Sequence, residues 1–241
     1  MLFANWGNLT AAQLLPNGLA GQGISAGAHP ARRALTTSGT VFAMRIAVYL
    51  AHPRADSFNR ALFDAVVDEL RTRAVEVVPH DLYAEGFDPM SAAAETDTVH
   101  GTRSGDELVR QHQNELADLD AVIFVHPNWW GMPPAILTGW VQRVLTPAVA
   151  YNLDDASGWP IGLLRLQRAL VLNTSDTTVE RERDVFGDPL QQIWAACVLP
   201  YVGVHDVRRT VFRMVTDSAD ETRAAWLREA RELAAALVTD A

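Results

Sequence analysis

The sequence predicts an α/β fold in which one doubly wound, five-stranded parallel sheet carries helices on both faces. Short apolar runs alternate five times with amphipathic segments between residues 44 and 241, which indicates strands joined by crossover helices. The runs are apolar along their length, as expected of parallel strands that are covered on both faces. Right-handed crossovers fit the strand order 2-1-3-4-5. We therefore expect residues 44–241 to form a single domain.

The first strand and the first helix lie in the stretch from Arg45 to Glu69. The strand is the apolar run 46–50, and apolar residues at helical spacing follow it from Phe58 onward. Either Asp56 or Ser57 is a suitable N-cap, because its side-chain oxygen can accept from free N–H groups of the first turn. The N-terminus of a helix attracts anions, and ligands of open α/β sheets lie outside the carboxyl ends of strands. This loop therefore predicts a phosphate site.

The remaining elements follow in chain order. They are a strand over 75–78, a helix over 106–119, a strand over 121–125, a helix over 135–145, a strand over 168–172, a helix over 189–198, a strand over 207–215 and a closing helix over 220–238. In the order 2-1-3-4-5, the loops after strands one, three and four gather at one edge of the sheet. The same three loops carry the unusual side chains of the chain. That these side chains are predicted to meet at one edge of the sheet is the main structural argument for a ligand site.

Composition excludes several classes of function. The net charge of −9 argues against a protein that grips nucleic-acid phosphates. No run approaches the roughly 18 apolar residues of a membrane span. The single cysteine, Cys197, excludes an intrachain disulfide framework and favours a cytoplasmic location, and its place on an apolar helix face predicts a core position. The absence of lysine and of a G-x-G-x-x-G motif excludes a P-loop, a kinase, a Schiff-base lysine and a Rossmann dinucleotide loop.

Residues 1–43 differ from the rest of the chain. They contain no Asp or Glu, their hydrophobic periodicity is weak, and glycines interrupt any helix. We expect a disordered leader or a mis-assigned start ahead of Met44, with a targeting peptide as the alternative. Residues 23–27 spell G-x-S-x-G, the nucleophile-elbow pattern. The sequence predicts no strand before this pattern and no helix after it, so we expect no nucleophile here.

The loop after strand three, residues 126–134, is the most informative one. It holds two tryptophans, a glycine and three prolines, which make a stiff turn presenting aromatic surface and backbone N–H groups. Such a surface suits a flat conjugated ring. The alternative is that Trp129 and Trp130 are core or dimer-interface residues. His126, at the end of the strand, is either a switchable proton donor or a packing residue.

Other polar residues have two interpretations each. In the first loop, His52, Ser57 and Asn59 offer donors to a phosphate, or they form a capped helix beside a solvent-exposed histidine.

The seven histidines show no H-x-x-x-H spacing, so the sequence predicts no metal site. The charged run 181–184 is expected to be solvated and mobile, and its place after strand four would allow it to act as a lid.

Together these motifs resemble the flavodoxin-like NAD(P)H:quinone oxidoreductase family, the flavodoxin-2 group that includes DT-diaphorase and the modulator-of-drug-activity proteins. The resemblance covers residues 44 to about 215, and its motifs keep their order and spacing. The motifs are AHP at 51–53 with SFN at 57–59, DLY at 81–83 with FDP at 87–89, ADLD at 117–120, PNWWGMPPAIL at 127–137, GWVQRV at 139–144 and AY at 150–151.

The resemblance implies a flavin, FAD or alternatively FMN, held noncovalently at a homodimer interface. NAD(P)H would reduce this flavin, and a quinone-like acceptor would reoxidise it in ping-pong turns. Hydride passes to the flavin directly, so no catalytic residue is assigned beyond the candidates Trp130 and His126. By position, the flavin-binding residues are His52, Ser57, Phe58, Asn59, Pro127, Asn128, Trp129, Trp130, Gly131, Asn173, Thr174, Ser175 and Asp176.

The chain departs from the family after strand four. There the DT-diaphorase type has a glycine pair, then a Tyr and a His that support charge on the reduced flavin, whereas this chain has Asn173 to Thr178 and a charged run. We carry over no residue for that role. Two other functions stay open: a flavin-containing ancillary subunit of a potassium-efflux system, and a redox-sensing module with little turnover.

Overall fold

The computed structural model describes residues 35–37, 40–42, 44–96 and 104–239. Its central sheet has five parallel strands, in chain order Met44–Leu50, Val75–Asp81, Ala121–Pro127, Arg168–Ser175 and Asp206–Arg213. Their order across the sheet is 2-1-3-4-5. The predicted fold class and strand order are confirmed. The strands are β1 Leu35–Thr37, β2 Thr40–Phe42, β3 Met44–Leu50, β4 Val75–Asp81, β5 Ala121–Pro127, β6 Tyr151–Leu153, β7 Pro160–Gly162, β8 Arg168–Ser175 and β9 Asp206–Arg213.

The helices lie where the sequence predicts them, with small differences at their ends. They are α1 Phe58–Arg71, α2 Glu107–Leu116, α3 Ala135–Val144, α4 Pro189–Gln191, α5 Leu199–Tyr201 and α6 Asp220–Thr239, with a 3₁₀ turn at Ala93–Thr96 and π-helical stretches at Arg181–Val185 and Gln192–Val198. The α2 helix ends three residues earlier than predicted, because a tight turn follows it and brings Asp120 to the backbone N–H of Arg45 at 2.9 Å. None of the helices in the described ranges is long and apolar enough to cross a membrane.

Two apolar cores cover the two faces of the sheet. On β5, Ala121, Ile123 and Val125 face one core, which α1 and α6 complete. Val122 and Phe124 face the other core, whose members include Trp140 of α3 and Trp194 of the π-helical stretch. This division follows from the alternation of side chains along a strand. Both faces are therefore buried, as the continuous apolar runs predicted.

Two features of the fold differ from the sequence prediction. Short antiparallel hairpins, β1–β2 and β6–β7, were not predicted because each strand has only three residues and no apolar run. Cys197 is exposed, so its predicted core position is wrong. The reason is a π-type turn: the N–H of Leu199 bonds to the carbonyl of Trp194, five residues earlier, and Leu199 takes the buried position.

Most of the predicted leader and the whole G-x-S-x-G stretch at 23–27 lie outside the described residues. The disordered leader or mis-assigned start stays a prediction.

Candidate functional site

The loops that follow β3, β5 and β8 meet at the carboxyl edge of the sheet and enclose a cavity of about 510 Å³. Most of the residues predicted for flavin binding line it: His52, Ser57, Phe58, Asn59, Pro127, Asn128, Trp129, Thr174, Ser175 and Asp176. Arg54, Asp56, Thr177, Val215 and Thr216 complete the lining. The gathering of three loops at one edge therefore occurs as the strand order requires.

The floor of the cavity is the N-terminus of α1. Ser57 is the N-cap, and its hydroxyl accepts from the N–H of Arg60 at 3.1 Å. One of the two predicted capping residues is thereby confirmed. The first N–H groups of a helix lack intrahelical partners, and the helix dipole adds positive potential at this end. This end of α1 is therefore chemically suited to a phosphate group.

Asn59 is the buried polar side chain of the cavity. Only 4% of it is exposed, and its amide nitrogen donates to the hydroxyl of Thr174 at 2.9 Å. Its amide oxygen is buried without a partner among the described residues. A buried acceptor without a partner costs free energy that a ligand hydroxyl can recover.

His52 forms one wall beside Trp129, whose ring centroid lies 6.0 Å away. The backbone N–H of Arg54 donates to its Nδ1 at 3.1 Å, so Nε2 carries the proton in the neutral ring. Burial lowers the pKa of His52, which keeps the ring neutral at pH 7. The guanidinium of Arg54 pairs with Asp56 at 2.8 Å and is exposed. His52 thus offers one neutral donor, and Arg54 supplies the cation at the rim.

Residues Trp129–Met132, hereafter the aromatic turn, form a two-residue hairpin loop. The N–H of Trp129 donates to the carbonyl of Met132 at 3.1 Å, and the reverse bond is 3.0 Å. The central residues Trp130 and Gly131 have φ values of 58° and 77°, as a type I′ turn requires. A tryptophan rarely adopts a positive φ, and 97% of this one is exposed. Such strain at an exposed aromatic residue indicates a functional position.

A second groove of about 630 Å³ adjoins the cavity and shares Asn128 and Thr177 with it. Trp130 and Gly131, two predicted site residues, lie here rather than in the cavity. The rings of Trp130, Phe186 and Pro189 make the groove largely apolar, and the guanidinium of Arg181 sits 5.6 Å from the Phe186 ring centroid. The groove suits a flat, apolar molecule.

The structure corrects the prediction for Glu182. The charged run 181–184 was expected to be solvated, but Glu182 is only 1% exposed while its neighbours in that run are exposed. Its carboxylate accepts from the amide of Asn128 at 2.8 Å and pairs with Arg213 and Arg209. No local signal could have revealed this, because both arginines come from β9.

Asn173 and His126 line neither cavity. The side chain of Asn173 is buried and accepts from Nε of Arg209 at 2.8 Å. His126 donates from Nδ1 to the carbonyl of Pro127 at 2.8 Å and accepts at Nε2 from the Trp194 indole at 3.0 Å. Burial lowers the pKa of His126 to about 4, so the ring stays neutral. The structure supports the packing interpretation of His126 over the proton donor.

One group of side chains has the composition of a metal site. His80, Glu85 and His112 offer ligand atoms within 4.8 Å of one another. However, the indole N–H of Trp140 donates to Nδ1 of His112 at 3.0 Å, whereas a metal-binding imidazole donates from its other nitrogen. The group instead forms a hydrogen-bonded ion network in which His80 contacts Glu85 at 2.8 Å and Glu115 at 2.9 Å. It does not fit a metal ion.

Comparisons with known proteins agree with this fold. A family model described as a flavodoxin-like fold matches residues 44–234. A ribosyldihydronicotinamide dehydrogenase (quinone) from Pongo abelii is 30% identical over 168 residues, which cover 62% of this chain and 72% of the relative. An NAD(P)H dehydrogenase (quinone) 1 from Rattus norvegicus is 36% identical over 126 residues, 45% of each chain. The solved NAD(P)H:quinone oxidoreductase from Methanothermobacter marburgensis superposes with a TM-score of 0.71 at 24% identity and covers 79% of this chain and 97% of its own.

Proposed function

Since this chain belongs to the family of proteins with a flavodoxin-like fold, we propose that it is an NAD(P)H-dependent flavin oxidoreductase that reduces quinones or similar acceptors. The observation that carries the proposal is the cavity at the carboxyl edge of β3, β5 and β8, where a helix N-terminus and an aromatic turn lie side by side. A nucleotide-linked conjugated ring has the matching chemistry, with an anionic phosphate at one end and a flat π-system at the other.

The residues around the cavity fit a flavin nucleotide, FAD or alternatively FMN. The N-terminus of α1, with Ser57 and Phe58, would hold a phosphate. The partnerless amide oxygen of Asn59 suits a hydroxyl of a ribityl chain. Pro127, Asn128 and Trp129 would line the isoalloxazine, and Thr174, Ser175 and Asp176 would line its far edge. When bound, the flavin supplies the hydride acceptor and donor that the side chains themselves lack.

The chain's own contribution to the reaction is to orient the donor and the acceptor. The groove beside the cavity is walled by Trp130, Phe186 and Pro189, and a flat nicotinamide or quinone would stack on such a surface. Arg181 at the groove would favour an anionic or electron-rich partner. The donor and the acceptor would occupy the groove in turn, which predicts ping-pong kinetics.

We propose a homodimer with the flavin near its interface. The hairpin β6–β7 and the residues after it expose large apolar side chains: Leu153, Trp159, Ile161 and Leu163. Exposed apolar surface of this kind is common at protein–protein interfaces. The cytoplasmic location inferred from the single cysteine stays a prediction.

The proposal is tested by reconstitution and steady-state kinetics. The purified chain is stripped of any flavin, titrated separately with FAD and FMN, and assayed with NADH or NADPH and a soluble quinone. We expect tight binding of one flavin. We also expect parallel lines in double-reciprocal plots of rate against substrate concentration, the pattern of ping-pong kinetics. A protein that binds flavin but shows no NAD(P)H-dependent turnover would instead be a redox-sensing module, and one that binds neither flavin would overturn the proposal.

A further inference from the structure

Glu182 is a buried carboxylate that the proposed reaction does not use. It lies in the π-helical stretch Arg181–Val185, which follows β8. A charged carboxylate is seldom 1% exposed unless it is paired and hydrogen-bonded. The structural role of Glu182 therefore follows from the groups that pair with its carboxylate.

The carboxylate of Glu182 has three partners: two arginines of β9 and the side-chain amide of Asn128, which follows β5. Arg213 pairs with one carboxylate oxygen and also donates to the carbonyl of Thr177 at 3.2 Å. Arg209 lies 3.6 Å from the other oxygen and donates to Asp188 at 2.9 Å. The segment 177–188 is thus fixed to β9 near both of its ends. The charged run forms a fixed wall of the groove rather than the mobile lid that the sequence suggested.

The third partner of Glu182 connects this wall to the aromatic turn. The amide nitrogen of Asn128 donates to Glu182 at 2.8 Å, and the amide oxygen of Asn128 accepts from the N–H of Gly131 at 2.9 Å. Each partner fixes one end of the amide, because a carboxylate can only accept and an N–H can only donate. Asn128 thereby transmits the position of Glu182 to the residue that follows Trp130.

The connection from Glu182 through Asn128 restrains the aromatic turn. Trp130 has a positive φ and lacks packing of its own, since 97% of it is exposed. A strained conformation persists only when its surroundings hold it. The N–H of Gly131 donates to the Asn128 amide oxygen, and this bond adds to the two backbone bonds between Trp129 and Met132 as a restraint on the turn.

We propose that Glu182 is a positioning residue that acts through Asn128 to hold the aromatic turn in the conformation that binds the flavin ring and its redox partners. The inference rests on the proposed function for the identity of the ligand, but the restraint itself does not depend on it. Removing Glu182 should release the turn while the buried strand β5 stays intact.

The test uses the full chain with Glu182→Ala, Glu182→Gln, Asn128→Ala and the double variant Glu182→Ala/Asn128→Ala. Glu180→Gln is the matched control, because Glu180 is an exposed acid two residues away. Amide hydrogen exchange is followed in a peptide covering the aromatic turn and in one covering β5, without flavin. Flavin affinity of the apo-protein is measured by fluorescence quenching.

We expect Glu182→Ala and Asn128→Ala to speed exchange in the turn peptide on the order of tenfold and to weaken flavin binding by a similar factor. The double variant should match Asn128→Ala, because Glu182 acts on the turn through Asn128 and has no further effect once that amide is gone. Glu182→Gln, which keeps an acceptor oxygen for Asn128, should lie between wild type and Glu182→Ala. Glu180→Gln should behave as wild type.

Two results would overturn the inference. One is a turn peptide that exchanges at the wild-type rate in Glu182→Ala. The other is additive losses of flavin affinity in the double variant. If Glu182→Ala does not fold, Asn128→Ala and Glu182→Gln carry the same test. A wild-type protein that binds no flavin would refute the proposed function alone, since the exchange measurement would still decide whether Glu182 restrains the turn.

Discussion

The side-chain amide of Asn59, in the first turn of α1, donates to the hydroxyl of Thr174, near the end of β8, over 2.9 Å. The two residues are 115 positions apart in the chain. The bond closes the cavity between the loops after the first and fourth strands of the sheet. It also leaves the amide oxygen of Asn59 as a buried acceptor without a partner.

Replacing Asn59 by Ala should weaken flavin binding on the order of tenfold, because the ligand loses one buried hydrogen-bond acceptor. The free energy of unfolding of the apo-protein should fall by only about 1 kcal/mol, through loss of the bond to Thr174. Flavin titration and urea unfolding measure the two effects. Asn114→Ala, at an exposed position of α2, is the control. Equal flavin affinity in Asn59→Ala and wild type would remove Asn59 from the site.

Trp130→Gly should affect stability and activity in opposite directions. Glycine adopts a positive φ without strain, so the free energy of unfolding should rise by roughly 0.5–1 kcal/mol. The loss of the indole from the groove should lower kcat/KM for a quinone at least severalfold. Trp130→Phe keeps both the strain and an aromatic ring and should stay near wild type. A Trp130→Gly variant that is fully active would show that the indole only covers a protein interface.

The His80 network should make stability fall in alkaline solution. Burial opposes the charge of His80, but its hydrogen bonds to the carboxylates of Glu115 and Glu85 outweigh it and raise its pKa from 6.5 to about 9. The stabilisation is therefore complete below pH 6.5 and is lost as the pH rises through 9. Its size is on the order of 2 kcal/mol. Urea unfolding at pH 6.5 and at pH 9 measures it.

The matching variant is His80→Gln. It should be less stable than wild type at pH 6.5, and the two proteins should converge as the pH approaches 9. His205→Gln, at an exposed histidine, is the control and should follow wild type throughout. Parallel stability curves for wild type and His80→Gln would show that the imidazole does not carry this charge.

At the acid end, burial raises the pKa of Glu85, but hydrogen bonds from His112 and His80 lower it to about 2, so its stabilisation is lost only as the pH falls through 2.

Gly139→Ala should be among the more destabilising small substitutions in the chain. A Cβ at Gly139 would overlap the backbone of Pro89, so α3 could not keep its close packing against the loop after β4. We expect a loss of about 2–3 kcal/mol in the free energy of unfolding. Gly105→Ala is the control, because a Cβ there meets nothing within 4 Å. Similar thermal midpoints for the two variants would contradict this packing argument.

The fold and the location of the site follow from short-range signals. Continuous apolar runs such as 121–125 identify buried parallel strands, and the strand order then brings the loops at His52, Asn128 and Thr174 together. These inferences needed no knowledge of side-chain partners. They depend on burial along the chain, which the hydrophobic pattern records directly.

Most of the features that escaped prediction depend on partners far along the chain, and one depends on a local turn. A run of alternating charges such as 181–184 looks solvated unless Arg209 and Arg213 are known to face it. His80 and His112 are brought together by β4 and α2 and share no motif spacing. Cys197 is exposed because a π-type turn shifts the buried face, and such turns leave no clear sequence pattern.

The most direct test of the central claim is the absorbance spectrum of the purified protein before and after anaerobic addition of NADH or NADPH. We expect flavin bands, either as purified or after incubation with FAD or FMN, that bleach on addition of one reduced nicotinamide and return when a quinone is added. A colourless protein that takes up neither flavin would contradict it, and the cavity between His52, Asn59 and Trp129 would then belong to a different ligand.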